Sequence, residues 1–225
     1  MSARDRILGK LRAAPVADDI PPMPDVKGWY ATHTRTENRQ ERVQRLRAAL
    51  EAVHTEVYDT TLDNWHTVLL DILASKGLKK LLIGTGTAHG AQLEALQPPG
   101  LDIVRYAQPI SQWQDILFDE TDASLTLARS AIAETGSMVL WPSPSEPRLM
   151  SLVPAVHFVM LDVTTIHSDL HAAMRDEGWA GQLPTNALLI SSPSKTADIQ
   201  QTLAYGAHGP RELVVLLRHP TGETA

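Results

Sequence analysis

The chain is 225 residues long, 43% hydrophobic and 20% charged, with a formal net charge of −6 and no cysteine. Such length and apolar content suit one generously sized globular domain with a real core, while an acidic balance without a basic block gives a nucleic-acid partner no electrostatic footprint. Without thiols the chain itself can hold no disulfide, cysteine-ligated zinc or cysteine-ligated iron–sulfur cluster, and it cannot use thiol catalysis.

Residues 1–14 read as a short amphipathic segment with Ile7, Leu8 and Leu11 on one side. They carry no apolar core of a secretory signal, and no run in the chain nears the roughly 18 apolar residues of a membrane span. A cytoplasmic protein is expected. Pro15, Pro21, Pro22 and Pro24 then hold the backbone extended, so residues 1–36 read as an N-terminal arm and residues 37–225 as one α/β domain. An apolar-striped arm can pack on the body or on a second copy, which leaves a homo-oligomer open.

In residues 37–53 the positions Val43, Leu46, Leu50 and Val53 follow helical spacing, and Trp65, Leu69, Ile72 and Leu73 repeat it in residues 62–76. Leu81, Leu82 and Ile83 form a buried strand ending at Gly84, residues 101–106 another, and Ser111 reads as the cap of a short helix. The segments Leu125 to Leu127 and Met138 to Leu140 flank a turn at 132–137. Pro142, Pro144 and Pro147 mark a loop before a strongly apolar strand at 155–161, and Ile166, Leu170 and Met174 give a helical stripe closing at Gly178. The last segment reads as a strand at 187–190, a polar loop, a helix starting at Thr196, a glycine turn at 206–209 and a strand at 213–217. Together they form one βαβ unit. Strands alternating with helices predict a three-layer α/β fold, a sheet with helices on both faces.

In open α/β sheets, ligands gather where loops leave the carboxyl ends of strands. Ser194, Lys195 and Thr196 at a helix start would favour an anion; the alternative is that Ser194 only caps the helix while Asp198 complements its dipole. His208 stands between glycines. Arg211 can clamp a carboxylate or phosphate bidentately, or pair with Glu212 or Asp198. The loop carrying Gly84 and Gly86 follows a strand and opens a helix, the setting of an anion cradle or of a plain tight turn. It lacks the spacing and the downstream ribose acid of a dinucleotide site. Glu134, beside Thr135 in its turn, can be a nucleophile, a general base or an acceptor for loop amides. His167 and His171 share one helix face but lack the intervening glutamate of a zinc motif, so no metal site is expected there. Neither a nucleophile elbow nor a P-loop occurs.

Three of these segments, Ile132-Ala133-Glu134-Thr135-Gly136, Ser194-Lys195-Thr196-Ala197-Asp198-Ile199 and Gly206-Ala207-His208-Gly209-Pro210-Arg211-Glu212, give the chain a resemblance. Over roughly residues 40–220 it resembles the lactate-utilisation protein C family, the LUD-domain proteins. The resemblance implies a fold of the glucosamine-6-phosphate isomerase, ribose-5-phosphate isomerase and CoA-transferase type. It also implies a subunit of a cytoplasmic system that oxidises L-lactate to pyruvate with iron–sulfur partner proteins, the clusters residing in the partners and no cofactor in this chain. A small hydroxy acid needs a cation for its carboxylate, from Arg211 or Lys195, and a base near its α-carbon, His208 or Glu134. Gly84, Gly86, Thr135, Ser194 and Thr196 complete the expected ligand contacts. The alternative is a stand-alone enzyme or binding module for a phosphorylated or acyl-CoA small molecule, with the Gly84 loop and the Ser194 helix start as its cradle. Whether the chain is itself an enzyme stays open.

Overall fold

The computed structural model describes residues 2–14, 22–197, 203–206 and 208–222. The chain divides into two compact units, Met1–Thr34 and Arg35–Ala225. The first contains helices α1 (Ala3–Ala13) and α2 (Val26–His33). Ser2 and Asp5 close a reciprocal capping box on α1, and the Asp25 carboxylate accepts from Gly28 N at 2.8 Å to start α2. Neither helix buries a residue. A helix at α2 was not expected from the proline-rich stretch, of which Pro15 and Pro21 lie outside the described residues.

The second unit runs α3 (Arg39–Glu51), β1 (Glu56–Thr61), α4 (Trp65–Ser75), β2 (Lys80–Ile83), α5 (Ala88–Leu96), β3 (Asp102–Arg105) and β4 (Ala123–Leu127). Then follow β5 (Ser130–Ile132), β6 (Ser137–Leu140), β7 (Val156–Asp162), β8 (Ile166–His167), α6 (Leu170–Asp176), β9 (Leu188–Ile190), β10 (Lys195–Ala197), β11 (Leu203–Tyr205) and β12 (Glu212–His219). The main sheet has six parallel strands in the order β1-β12-β7-β4-β2-β3. A parallel strand covered on both faces needs apolar side chains all along, and β12 supplies them. Leu213, Val215 and Leu217 face Val43, Leu46 and Leu50 of α3. Val214 and Leu216 face the other way, toward Trp65, Leu69, Ile72 and Leu73 of α4 and Leu93 of α5. Each fully buried aliphatic side chain contributes about 1.5–3 kcal/mol relative to exposure, so these two clusters hold the domain together.

Helices thus cover both faces of the sheet. On the α3 face the layer also contains a smaller mixed sheet, β8-β5-β6-β9, whose Ala131, Met138 and Leu140 join the same cluster. That second sheet corrects the expected βαβ unit near the end of the chain. β9 pairs antiparallel with β6, whereas β12 belongs to the main sheet, and the segment between them contains a two-stranded hairpin, β10 with β11. Thr196 is therefore in a strand and starts no helix, because the backbone is already extended where Ser194 N donates to Pro210 O at 2.8 Å. Asp198 lies outside the described residues.

Three smaller expectations also change. Ser111 lies inside a single 3₁₀ turn, Ile110–Gln112, that follows Pro109, and it caps nothing. Ile166 belongs to β8; α6 begins at Leu170 with Asp169 as its cap, and Met174 is on its exposed side. His167 in β8 consequently shares no helix face with His171; it faces Glu177, with Nε2 3.2 Å from the carboxylate.

Candidate functional site

An open cleft of about 510 Å³ lies between the two sheets on the α3 face. Its floor is His157 of β7 and Leu213 of β12, one wall is Leu189, Ile190 and the loop Ser191 to Ser194, and its mouth carries Lys195 and His208. Ser151 and Leu152, just before β7, complete the lining. The two loops that sequence reasoning singled out meet here because their backbones are tied together: Ser194 N donates to Pro210 O, and Gly206 N donates to Ser194 O at 2.9 Å. Gly206 has φ +76°, and a Cβ there would meet the Arg211 stem at 2.1 Å, so only glycine fits.

The cleft opens at the amino ends of β7 and β12. That corrects the expectation of a site at the carboxyl ends. The reason is topological: the loop carrying His208 enters β12 at its amino end, and the polar loop 191–194 leaves β9 of the smaller sheet rather than a strand of the main one.

His157 is the feature sequence reasoning missed. It is fully buried. Nε2 lies 2.8 Å from Thr126 Oγ1 on the neighbouring strand β4, and Nδ1 has no partner among the described residues. Burial pushes its pKa down to about 3, so the ring stays neutral at ordinary pH. Among the described residues lining the cleft there is no carboxylate, while Lys195 and His208 offer donors. An anion or an oxygen-rich small molecule is the complementary ligand.

Glu134 and Thr135 occupy the β5–β6 turn at the rim of this region, both exposed. Gly136 makes the turn with φ +62°, and a Cβ on it would come within 2.7 Å of Ala49 Cβ on α3. The turn connects to the cleft wall through hydroxyls: Thr135 Oγ1 to Ser137 Oγ at 2.8 Å, then Ser137 Oγ to Ser191 Oγ at 2.7 Å. Glu134 N donates to Ser168 O at 3.0 Å, and Arg45 of α3 donates to the same carbonyl. The Glu134 side chain does not line the cleft, nor do Thr196 and Arg211. Arg211 is exposed, and Glu212 pairs with Lys76 at 2.6 Å, so the alternative of an Arg211–Glu212 pair is not taken.

Gly84 and Gly86 are at the opposite end of the main sheet, where β2 leads into α5. The loop is filled by the chain itself. A Cβ on Gly84 would meet Ser145 O at 2.5 Å and Glu146 Cγ at 2.7 Å, and Thr85 N donates to Ser145 O at 2.9 Å. The Glu146 carboxylate lies 2.9 Å from His89 Nε2 and accepts from Leu127 N at 3.3 Å. Gly84 is thus glycine because residues 145 and 146 press against it, and a carboxylate of the protein stands where a ligand anion was expected. Among the described residues there is no cluster of three metal-ligand side chains, and no helix is long and apolar enough to cross a membrane.

Comparison with known proteins follows this geometry. The profile of the LUD domain matches residues 43–217. The uncharacterized protein NMB1437 of Neisseria meningitidis serogroup B is 42% identical over 221 residues, 96% of this chain and 93% of that protein. Lactate utilization protein C of Macrococcus caseolyticus is 26% identical over 76% of this chain and 75% of its own. The protein of the same name from Bacillus pumilus is 24% identical over 80% and 79%. A DUF162 family protein from Deinococcus radiodurans, solved by crystallography, shares the fold with a TM-score of 0.64 at 20% identity, covering 81% of this chain and 99% of that one.

Proposed function

The chain belongs to the LUD domain family, and from that premise we propose that it serves lactate utilisation as a cytoplasmic subunit that holds a small hydroxy or oxo acid while iron–sulfur partner proteins carry the electrons. The observation carrying this reading is the cleft between the sheets: large enough for a ligand, free of lining carboxylates among the described residues, and fringed by Lys195 and His208. Support for the substrate class comes from relatives named lactate utilization protein C.

Converting lactate to pyruvate breaks one C–H and one O–H bond and releases two electrons and two protons. The electrons go to the partners' clusters, since this chain has no cysteine to ligate one. Lys195 at the mouth takes the carboxylate, His208, also at the mouth, receives the hydroxyl proton, and the proton of the α-carbon leaves to solvent through the open cleft. Glu134, removed to the rim, orders the β5–β6 turn through its backbone amide.

A phosphorylated or acyl-CoA ligand is the second reading, favoured by the cleft volume, which falls within the range of pockets for much larger molecules than a three-carbon acid. The Gly84 loop gives that reading no support, being closed by Glu146. Affinity purification from the native host, with iron analysis of the associated proteins, separates the two. Co-purifying iron–sulfur proteins, with thermal stabilisation by lactate or pyruvate, is the expected result. Stabilisation by phosphate or CoA alone, with no iron in the eluate, would replace the first reading by the second.

A further inference from the structure

The first unit, taken by itself, has no interior. Neither α1 nor α2 buries a residue, and Ile7, Leu11, Met23, Val26 and Trp29, all within this unit, are each between 49% and 92% exposed. Helices of 11 and 8 residues are marginal in water without a surface to lie on. On α1 helical spacing puts Ile7, Leu8 and Leu11 along one side, with Arg6 and Lys10 one turn apart on the far side. Arg4 and Arg12 stand near its two ends, where long stems can carry a guanidinium clear of apolar surroundings. Asp5, the one carboxylate of the helix, is tied back to Ser2 in the capping box. Four cations against one carboxylate make α1 basic within a chain of net charge −6; Asp18 and Asp19, which follow in sequence, lie outside the described residues. On α2 Trp29 stacks on the His33 ring at 4.2 Å and meets Tyr30 edge-on at 4.9 Å. An open hollow of about 370 Å³ lies there, lined by Pro24, Asp25, Val26, Trp29 and Tyr30.

We propose that this unit is a peripheral membrane anchor, with α1 and α2 lying in the headgroup region of an anionic lipid surface and their apolar side chains turned into it. Charge complementarity selects the sign of the lipid: the cations of α1 meet phosphate headgroups that an acidic chain would otherwise avoid. The aromatic side chains select an interface, because Trp and Tyr settle where one end of the ring is apolar and the other wet. A lipid surface also needs no matched shape, whereas a protein partner must fit a packed face. Short apolar strips on two helices without a buried residue suit the first and not the second. Both helices are far too short to span a bilayer and lie along it instead.

Flotation of the full-length protein with lipid vesicles is the test, using pure phosphatidylcholine and an equal mixture of phosphatidylcholine and phosphatidylglycerol. We expect partitioning onto the anionic vesicles at least about tenfold stronger than onto the neutral ones, and falling as salt is raised. The double substitution Arg6→Glu, Lys10→Glu changes exposed side chains only and should abolish the preference for anionic vesicles. Trp29→Ser should weaken binding to them several-fold while keeping the salt dependence. Both variants should melt with the wild type, since none of the three side chains is buried. Wild-type protein that stays behind at low salt, or floats equally with neutral and anionic vesicles, overturns the proposal. Full binding by the charge-reversed variant does so too. Failure to float, together with a dimer that Trp29→Ser or the charge reversal breaks, assigns the face to a second copy and refutes the lipid.

Discussion

Acidification tests the burial of His157 directly. The folded protein keeps the ring neutral down to about pH 3, whereas in the unfolded chain it protonates near its ordinary 6.5. Between those values the unfolded state binds one more proton than the native state, so this group's contribution to stability is present above about pH 6.5 and is lost as the pH falls. The slope is about 1.4 kcal/mol per pH unit. From pH 6.5 down to pH 4 the loss from this one site amounts to about 3 kcal/mol, a large share of the about 5–15 kcal/mol that stabilises an ordinary domain. Urea unfolding of the wild type and of His157→Gln, each measured at several pH values between 7 and 4, isolates the term. Carboxylates elsewhere titrate alike in both proteins and cancel in the difference. The wild-type stability should fall away from the variant's as the pH drops, with most of the divergence below pH 6. Parallel curves would mean that the ring protonates in the folded protein as easily as in the unfolded one, and the reasoning from burial would fail.

Gly136→Ala should destabilise by about 2–4 kcal/mol, from a left-handed backbone and a methyl driven against Ala49, read as a lowered denaturation midpoint. Leu46→Ala empties a fully buried position between α3 and β12 and should cost about 2–5 kcal/mol in the same assay. Arg211→Ala should leave stability within about 0.5 kcal/mol, because the guanidinium is exposed. Purified alone, the chain should contain no stoichiometric iron and no visible cluster absorption; elemental analysis and a spectrum of the isolated protein check this.

What the sequence revealed and what it hid follow from element length. α3 and α4 were legible because Val43, Leu46 and Leu50, and Trp65, Leu69, Ile72 and Leu73, repeat with helical period over three turns. β12 announced itself as an unbroken apolar run at 213–217, and β7 as one interrupted only by His157. The second sheet did not: β5 and β8 have only three and two residues, too few for a period to show, and β9, read as a strand, gave no sign that it would pair with β6. The same brevity made Ser194 to Ala197 look like a helix start, when strand pairing with β11 decides the conformation. The convergence of the Ser194 and His208 loops could be read from their polar residues. Their end of the sheet could not, because nothing local says which strand a loop will enter. His157 had one visible signal, a histidine in the middle of an apolar strand. Glu146 had none, since its place over Gly84 depends on a contact across sixty residues of chain.

The place of β12 in the sheet has a consequence for biosynthesis. It is the last strand in sequence but sits between β1 and β7, bonded along Glu56 to Thr61 on one side and Val156 to Asp162 on the other. A nascent chain that has delivered residues up to 211 therefore has a slot where the middle of its sheet belongs, with two strand edges open at once. Open edges are templates for intermolecular pairing, and parallel pairings between distant segments form slowly. Until residues 212–219 have been made and have entered it, that slot is open to another molecule's strand.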